Sequence, residues 1–313
     1  MAVEARPLSH APTADFVPAR AAKIIRETPF VPSLVLGLLL LTAVFAGVLA
    51  PHDPTLPIAG PGAGVFAPPY WMAGGSLNTP LGTDFQGRDV LSRLIYGARV
   101  TLMVAVMGTA VAGGIGMLLG IIAGYFGGWV DNAIMRLTDT WLALPSLVFA
   151  IFLAALLQDK INQITFFLPP GVGNIIIVFG LIYWTRYARV IRGEVLTLRE
   201  RDYVRLAQVA GLSKTRIIIR HIVPNVLNTW MVLASLTVGV VIISEASLSF
   251  LGLGVQAPTP AWGNMLSEAR RTLMAGQWWL TVLPGICISV VVLAANLFGD
   301  WMRVRLDPKQ RNL

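Results

Sequence analysis

The stretch GTAVAGGIGMLLGIIAG, residues 108–124, carries a small residue at every fourth position. These residues are Gly108, Ala112, Gly116, Gly120 and Gly124. Positions four apart lie near one face of an α-helix, and small side chains there let the backbone of another helix approach closely. The stripe is interpreted either as a seam along which two helices slide or as static packing. Both interpretations predict a tightly packed helical bundle.

The stripe lies within one of six long apolar runs that are almost free of Asp, Glu, Lys and Arg. The runs cover residues 28–52, 100–130, 140–158, 161–185, 217–244 and 272–299. A membrane-spanning helix needs about 20 mainly apolar residues. The chain is 55% hydrophobic and only 13% charged, whereas a soluble domain carries roughly 25% charged residues. An all-α membrane protein with six transmembrane helices is therefore predicted.

The distribution of Lys and Arg predicts the orientation of these helices. With both ends of the chain in the cytoplasm, 18 of the 24 Lys and Arg residues fall in inner segments and 6 in outer segments. Cytoplasmic loops are enriched in these residues, so the split predicts an N-in/C-in topology. The same bias explains the net charge of +8, and no nucleic-acid partner is predicted. The apolar stretch from Val31 to Ala50 is longer than the core of a signal peptide and is expected to remain as the first span.

The predicted organisation follows from these runs and from the composition between them. Its parts are an inner tail at 1–28, a first transmembrane helix at 29–50, an outer loop at 51–99, a five-helix core at 100–302 and an inner tail at 303–313. The core includes an inner loop at 194–224 and an outer loop at 248–278. Residues 51–82 contain seven Pro and six Gly, which predicts a loop.

The end of the first outer loop predicts a short amphipathic helix on the membrane surface. Thr83 or Asp84 is its candidate cap, and apolar residues recur at helical spacing from Val90 to Ile95. Asp84 and Asp89 could suggest a cation site, but the alternating carboxylates of a calcium loop are missing. A structural role is therefore favoured for both residues.

The chain shows no pattern of its own for catalysis. Its single cysteine is Cys287, and its three histidines lie in different segments. No metal-ligand spacing, nucleophile–base set or phosphate-binding loop is found, so no catalytic residue, metal site or cofactor is predicted. Any ATP that its work consumes would be hydrolysed by another chain. Glu245, directly after the fifth run and toward the outer end of the fifth span, either faces a translocation path or pairs with a neighbouring helix, and the structural interpretation is favoured.

A basic segment, RDYVRLAQVAGLSKTRIIIRHIVPNV at 201–226, lies between the fourth and fifth runs. It predicts one short helix from about 194 to 209, continuing out of the fourth span, and a second at 214–223. Gly211 is the expected left-handed residue between them, and Ser213 is the expected N-cap. Pro224 is expected to break the second helix and open the fifth span. Small side chains share one face of the first helix, with basic groups beside them; the residues concerned are Val204, Ala207, Ala210, Gly211, Arg201 and Arg205. This face is interpreted as a docking knob for a cytoplasmic partner or as an interfacial helix held by anionic lipid.

This segment resembles the cytoplasmic coupling loop of bacterial ABC-importer permeases. In that signature, Glu-Ala-Ala is followed by a Gly and later by Ile and Leu-Pro. Ala207, Gly211, Val223 and Pro224 fall in register. The departures are Arg205 in place of Glu, Leu206 in place of Ala, and His221 in place of Ile, and Arg205 puts any ion pair made by that Glu in doubt.

Four further stretches resemble the C-type subunit of the dipeptide/oligopeptide/nickel permease group. They are PLGTDFQGRDVLSRLIYGARV (80–100), GIIAGYFGGWVDNAIMRLTD (120–139), RGEVLTLRERDYVRLA (192–207) and EASLSFLGLGVQAPTPAWGNML (245–266). The resemblance runs from about residue 80 to 308. It implies the type I ABC importer permease fold in a bacterial inner membrane, with membrane lipid around it.

The resemblance also implies partners and a cargo. The partners are a homologous B-type permease, two cytoplasmic ABC ATPases that use ATP and Mg, and a periplasmic substrate-binding protein. The expected cargo is a di- or oligopeptide, with a nickel chelate, glutathione, an opine or an oligosaccharide as alternatives. An ATP-independent secondary transporter or channel would show internal repeats and paired mid-membrane charges, and a membrane-embedded enzyme would show clustered reactive groups. Neither pattern is evident in the sequence.

Overall fold

The computed structural model describes residues 29–60, 64–270 and 272–306, which form helices joined by loops. The helices are α1 (Phe30–Val44), α2 (Ala46–Leu49), α3 (Val90–Phe126), α4 (Gly128–Leu142), α5 (Ser146–Ile164), α6 (Val172–Arg199), α7 (Asp202–Val209), α8 (Lys214–Ile217), α9 (Val223–Phe250), α10 (Trp262–Ala269) and α11 (Trp279–Leu306). A π-helical turn, Ile218–Ile222, joins α8 to α9, and a 3₁₀ turn, Leu273–Ala275, precedes α11. Within the described ranges there is no β-strand, and the prediction of an all-α protein is confirmed. The predicted tail at 1–28 and most of the tail at 303–313 lie outside these ranges.

Four helical segments are long and apolar enough to cross a membrane. They are α3, α6, the segment Lys214–Phe250 and α11. The pair α4–α5, bent by 96°, would make a fifth if it is counted as one broken span. The predicted first span is a 15-residue apolar helix, α1, followed after Phe45 by the short α2.

Helix α3 begins earlier than the sequence predicts and includes the expected surface helix. The Asp89 carboxylate caps it by accepting a hydrogen bond of 2.9 Å from the Ser92 amide. The helix then runs without interruption from Val90 to Phe126. Neither Thr83 nor Asp84 acts as the cap, because both are engaged within the loop that precedes Asp89. The separate amphipathic helix is therefore replaced by the first turns of a 37-residue helix.

The small-residue stripe of α3 lies against α6. A Cβ added to Gly116 would lie 2.3 Å from the Trp184 carbonyl oxygen, and one added to Gly120 would lie 2.7 Å from the Ala188 carbonyl oxygen. Gly124 similarly faces Val195. Only glycine allows backbones this close, so the stripe fixes the α3–α6 pair at the centre of the bundle.

Two ends of the bundle are used as references below. The α7 end comprises residues 199–224. The α10 end comprises the loop segments 51–60, 64–89, 251–270 and 272–278, which fold over the start of α3. There the Trp262 indole nitrogen donates a 3.0 Å hydrogen bond to the Leu94 carbonyl, so α10 is fixed to α3.

Candidate functional site

The turn after α7 is determined by Gly211. The Leu212 amide donates to the Ala207 carbonyl at 3.1 Å, and the Gly211 amide donates to the Gln208 carbonyl at 3.0 Å. This pair of bonds is the Schellman arrangement, which requires a left-handed residue just past the helix end. Gly211 has a φ of +76°, as the sequence predicts. The turn sets the direction in which the chain leaves α7.

The second predicted helix differs from expectation because Pro224 does not break it. Ser213 lies at the N-cap position, but its side chain makes no capping hydrogen bond. The chain continues through α8 and the π-turn into α9, with the Val223 amide bonded to the Ile218 carbonyl. The wider π-turn accommodates the proline ring, which would clash with a carbonyl in a regular α-helix. One helix therefore connects the α7 end to the core.

One face of α7 is buried against the bundle. Val204 is 0% exposed and Ala207 is 8% exposed. Both pack in a cluster with side chains of α6 and the π-turn, including Ile191, Val195 and Ile222. Two of the four small residues of the predicted docking face, Val204 and Ala207, are thus covered by the chain itself. The single helix predicted at 194–209 is divided, because α6 ends at Arg199 and α7 begins at Asp202.

The opposite face of α7 presents apolar side chains that sequence reasoning missed. Leu206 is 67% exposed and Val209 is 86% exposed, with Tyr203 one turn earlier at 42%. Ala210 and Gly211 are also exposed. The i, i+3 spacing of Tyr203, Leu206 and Val209 was the available signal. This spacing did not identify the exposed face, because the buried row of α7 is apolar as well. An exposed apolar row on a short, well-fixed helix is typical of a docking surface.

Arg205 is not a free basic group beside this row. It forms an ion pair with Glu200, and Arg199 lies 3.5 Å from the same carboxylate. The hydrogen bond and positive charge of Arg205 hold the pKa of the Glu200 carboxyl below its usual value of 4.5. The same hydrogen bond raises the pKa of Arg205. Arg201, at the N-cap position of α7, is exposed.

An open groove adjoins the α7 turn on the side of α8. It has a volume of about 640 Å³ and is lined by six residues, namely Ser213, Thr215, Arg216, Ile219, Arg220 and Pro224. Its arginines give it a positive charge. The groove and the exposed row of α7 together offer a partner an apolar contact bordered by cations.

Glu245 is buried near the other end of α9. It is 1% exposed and accepts a 2.7 Å hydrogen bond from the Ser249 hydroxyl. That hydroxyl accepts the Val255 amide at 3.1 Å, and Glu245 also lies beside Thr101 of α3. These contacts join the loop after α9 to the helix core.

A buried charge cluster lies at the α10 end. The Arg88 guanidinium bonds the Asp84 carboxylate at 2.6 Å and Glu268 at 3.1 Å, while Arg93 pairs with the same two carboxylates. Asp84 and both arginines are buried. The structural role favoured for Asp84 fits this arrangement. Glu268 could not be found from the sequence, because it lies 180 positions from Arg88. Asp89 caps α3 and is not part of the cluster. No group of side chains in the described ranges could hold a metal ion.

Comparison with known proteins identifies close relatives. The sequence pattern of a family described as binding-protein-dependent transport system inner membrane component matches residues 116–312. The chain is 39% identical over 279 residues to the di/tripeptide transport system permease protein DppC of Pseudomonas aeruginosa, covering 89% of this chain and 87% of that protein. It is 42% identical over 272 residues to the dipeptide transport system permease protein DppC of Escherichia coli K12, covering 87% and 86%. It is 37% identical over 232 residues to the glutathione transport system permease protein GsiD of Pectobacterium atrosepticum, covering 74% and 73%.

Proposed function

This chain belongs to the family of binding-protein-dependent transport system inner membrane components, and from that membership we propose that it is the C-type permease subunit of an ATP-driven ABC importer for di- and oligopeptides. The observation that carries the proposal is the identity of 37–42% over most of the chain to permeases named for dipeptide transport. The exposed apolar row of α7 supports it, because a permease driven by separate ATPases needs a docking surface.

The topology we propose has six spans with both ends of the chain in the cytoplasm. The four long helical segments provide four spans, and the broken pair α4–α5 provides a fifth. Helices α1 and α2 cover residues 30–49 with one break, a length of about 30 Å at 1.5 Å per residue, and provide the sixth. The excess of Lys and Arg places the α7 end in the cytoplasm and the α10 end in the periplasm of a bacterial inner membrane.

The proposed partners follow from this orientation. A homologous B-type permease completes the pore, two cytoplasmic ABC ATPases dock at the α7 ends, and a periplasmic binding protein delivers the cargo to the α10 end. Membrane lipid surrounds the spans. The chain itself is not an enzyme and holds no cofactor, since ATP and Mg are used by the ATPases.

Coupling is proposed to run through α7 and the helix that follows it. Leu206, Val209 and Arg205 contact the ATPase, while Val204 and Ala207 fix α7 to the bundle. ATP binding closes the ATPase pair and tilts α7. Because the Lys214–Phe250 segment has no break at Pro224, the tilt passes along it to the loop beyond Glu245, and access switches between the two sides.

A second cargo is favoured by one specific observation. The relative from Pectobacterium atrosepticum is named for glutathione transport and is 37% identical to this chain. Glutathione is itself a modified tripeptide. The alternative is therefore the same importer with glutathione as its cargo.

The test of the function begins with co-purification from native membranes in a mild detergent, followed by mass spectrometry of every chain. A sister permease, ATPases and a binding protein should be recovered. The recovered complex, reconstituted in proteoliposomes, should accumulate labelled dialanine only with hydrolysable ATP. Recovery of this chain alone, with uptake that needs no ATP, would overturn the proposal and favour a channel or secondary transporter.

The docking role of α7 has its own test in the double substitution Leu206→Asp, Val209→Asp. Two carboxylates on the exposed row should release the ATPases and reduce uptake at least tenfold, with membrane insertion intact. The matched control is Thr197→Asp, which adds negative charge at an exposed position of α6 two residues before Arg199. Normal ATPase recovery with the double variant would show that docking occurs elsewhere.

A further inference from the structure

A cavity of about 230 Å³ lies where the α4–α5 pair bends against α6. Its wall includes the aromatic side chains of Trp141, Phe149 and Tyr183, together with Ser146 and Arg186. No carboxylate is among the residues that line it. The cavity therefore combines one positive charge with aromatic walls.

Arg186 differs from the other arginines on the same helix. Arg189 forms a 2.6 Å ion pair with Asp139 of α4, and Arg192 pairs with Asp131 of α4. In the part of the chain that the structure describes, no carboxylate lies within ion-pair distance of Arg186. Its guanidinium lies 6.0 Å from the centre of the Tyr183 ring, a contact that leaves its hydrogen-bond donors available.

Arg186 also lies far from both ends of its helix. It is fourteen residues after Val172 and thirteen before Arg199, about 20 Å from either end at 1.5 Å per residue. The neighbouring residue Tyr187 packs on Gly116, in the middle of the charge-free run of α3. Arg186 lies within the candidate span Val172–Arg199 and is exposed, and ionisable residues in such segments tend to mark the path of a substrate or ion.

The bend between α4 and α5 adds backbone donors to the same place. The break follows Leu142, and α5 begins at Ser146 with no side-chain cap on its first turn. The free N–H groups of a first turn favour an anion. Interrupted helices near the middle of a membrane form the binding sites of many transporters. Here the interruption supports a site that Arg186 and the cavity already define.

We propose that this cavity is a transient oxyanion site that binds the C-terminal carboxylate of the peptide cargo during its passage. The inference rests on the proposed import of peptides. A guanidinium binds a carboxylate through two parallel hydrogen bonds, and the aromatic walls pack against the adjoining peptide group. A lipid phosphate has the same oxyanion chemistry. The peptide is favoured over the lipid, because the walls of Trp141, Phe149 and Tyr183 offer aromatic contacts to a peptide group beside the carboxylate.

The site can be tested with the permease–ATPase complex in nanodiscs. The probe is alanyl-photoleucine, a dipeptide that carries a diazirine, and its C-terminal amide is the uncharged comparison. After irradiation, mass spectrometry should locate the acid probe on the cavity walls, with about tenfold less labelling by the amide. That ratio corresponds to about 1.4 kcal/mol, the contribution of one charge-assisted hydrogen bond.

Variants then assign the preference to Arg186. Arg186→Gln should reduce labelling by the acid to the level of the amide, and Arg186→Lys should keep most of the preference. Arg189→Gln is the matched control, removing one positive charge a turn away, and should leave the preference unchanged. If Arg186→Gln fails to assemble, Ser146→Leu narrows the cavity with the arginine intact and should reduce labelling by both probes.

Three results would overturn the proposal. The first is equal labelling by acid and amide, and the second is a preference that survives Arg186→Gln. The third is an anionic lipid retained by the wild type and lost from Arg186→Gln, with no peptide labelling. Uptake of labelled dialanine by the same complex separates this inference from the proposed function. If the complex takes up dialanine but the cavity is not labelled, only the proposed site is refuted. If the cavity is labelled with a carboxylate preference but no peptide is taken up, the bound peptide is not a cargo, and the import proposal is refuted as well.

Discussion

The two ends of the bundle use charged residues in opposite ways. At the α10 end, Asp84, Arg88 and Arg93 are buried and form ion pairs with one another and with Glu268. At the α7 end, Glu200 and Arg205 pair on the surface while the apolar Leu206 and Val209 are exposed. Charged side chains are thus buried at the α10 end, whereas apolar side chains are exposed at the α7 end. The buried charges of the α10 end find their partners within the described chain, and the α7 end presents an exposed apolar row.

Ion pairs at the two ends differ in their contribution to stability, because water screens only the exposed pairs. Removing one partner of a buried ion pair leaves an uncompensated charge, at a cost of about 3–5 kcal/mol. An exposed pair contributes about 0–1 kcal/mol, because water and salt screen it. Substitutions at the α10 end should therefore affect stability, and those at the α7 end should affect docking.

The largest effect is expected from Asp84→Ala. It leaves the two buried arginines with Glu268 as their only acidic partner, and we expect a loss of about 3–5 kcal/mol in the free energy of unfolding. Thermal unfolding of the purified complex measures the change. The control is Asp139→Ala, whose ion pair with Arg189 is exposed, with an expected loss of about 1 kcal/mol or less. Equal losses in the two variants would contradict the contrast drawn between buried and exposed pairs.

The next effect concerns the α3–α6 contact that joins the two ends. In Gly116→Ala the new Cβ would lie 2.3 Å from the Trp184 carbonyl oxygen and 2.4 Å from the Tyr187 Cβ. The helices must separate, and a loss of about 1–3 kcal/mol in stability is expected from overpacking. In Gly114→Ala, two residues away, the new Cβ meets no heavy atom within 4 Å.

Gly114→Ala should therefore be neutral or stabilise the helix by about 0.5–1 kcal/mol. Melting temperatures of the two variants in the same detergent provide the measurement. If Gly116→Ala leaves the melting temperature unchanged, the stripe tolerates movement between α3 and α6. That result would favour the sliding interpretation of the stripe over static packing.

Features set by local chemistry were predictable from the sequence, and those set by distant contacts were not. The left-handed turn at Gly211 depends on one residue's conformational freedom, and the helical class depends on composition. The exposed face of α7 was not predictable, because both of its faces are apolar and only tertiary packing shows which one α6 covers. Glu268 could not be linked to Arg88 because their contact depends on how the loops fold over α3.

The position of Pro224 illustrates a third case. Proline is a helix breaker on local grounds, but the π-turn before it keeps the helix continuous. The side-chain amide of Asn225 also donates a 2.6 Å hydrogen bond to the His221 carbonyl, which satisfies an acceptor near the proline. The local rule failed because the wider π-turn makes room for the proline ring in the first turn of α9.

A smaller effect is expected at the turn that orients the α7 end. An added Cβ at Gly211 meets nothing within 4 Å, so Gly211→Ala tests the left-handed backbone alone. A non-glycine residue there costs about 1–2 kcal/mol, and hydrogen exchange in residues 202–212 should quicken while the α10 end stays unchanged. Gly193→Ala, in open space on α6, is the control. If the hydrogen-exchange rate of residues 202–212 is unchanged in Gly211→Ala, the left-handed turn does not determine the stability of α7.

The smallest effect is expected from Glu200→Gln, and it should depend on pH. Arg205 keeps the pKa of Glu200 below 4.5 in the folded chain, so the ion pair contributes its stability fully above about pH 4.5 and loses it as the pH falls through the lowered pKa. The neutral glutamine lacks this contribution at every pH. The wild type should therefore melt slightly above the variant at pH 7, and the two curves should converge on acidification. A difference that grows as the pH falls would have the wrong sign for a lowered carboxyl pKa. It would place the role of Glu200 in some contact other than the exposed pair with Arg205.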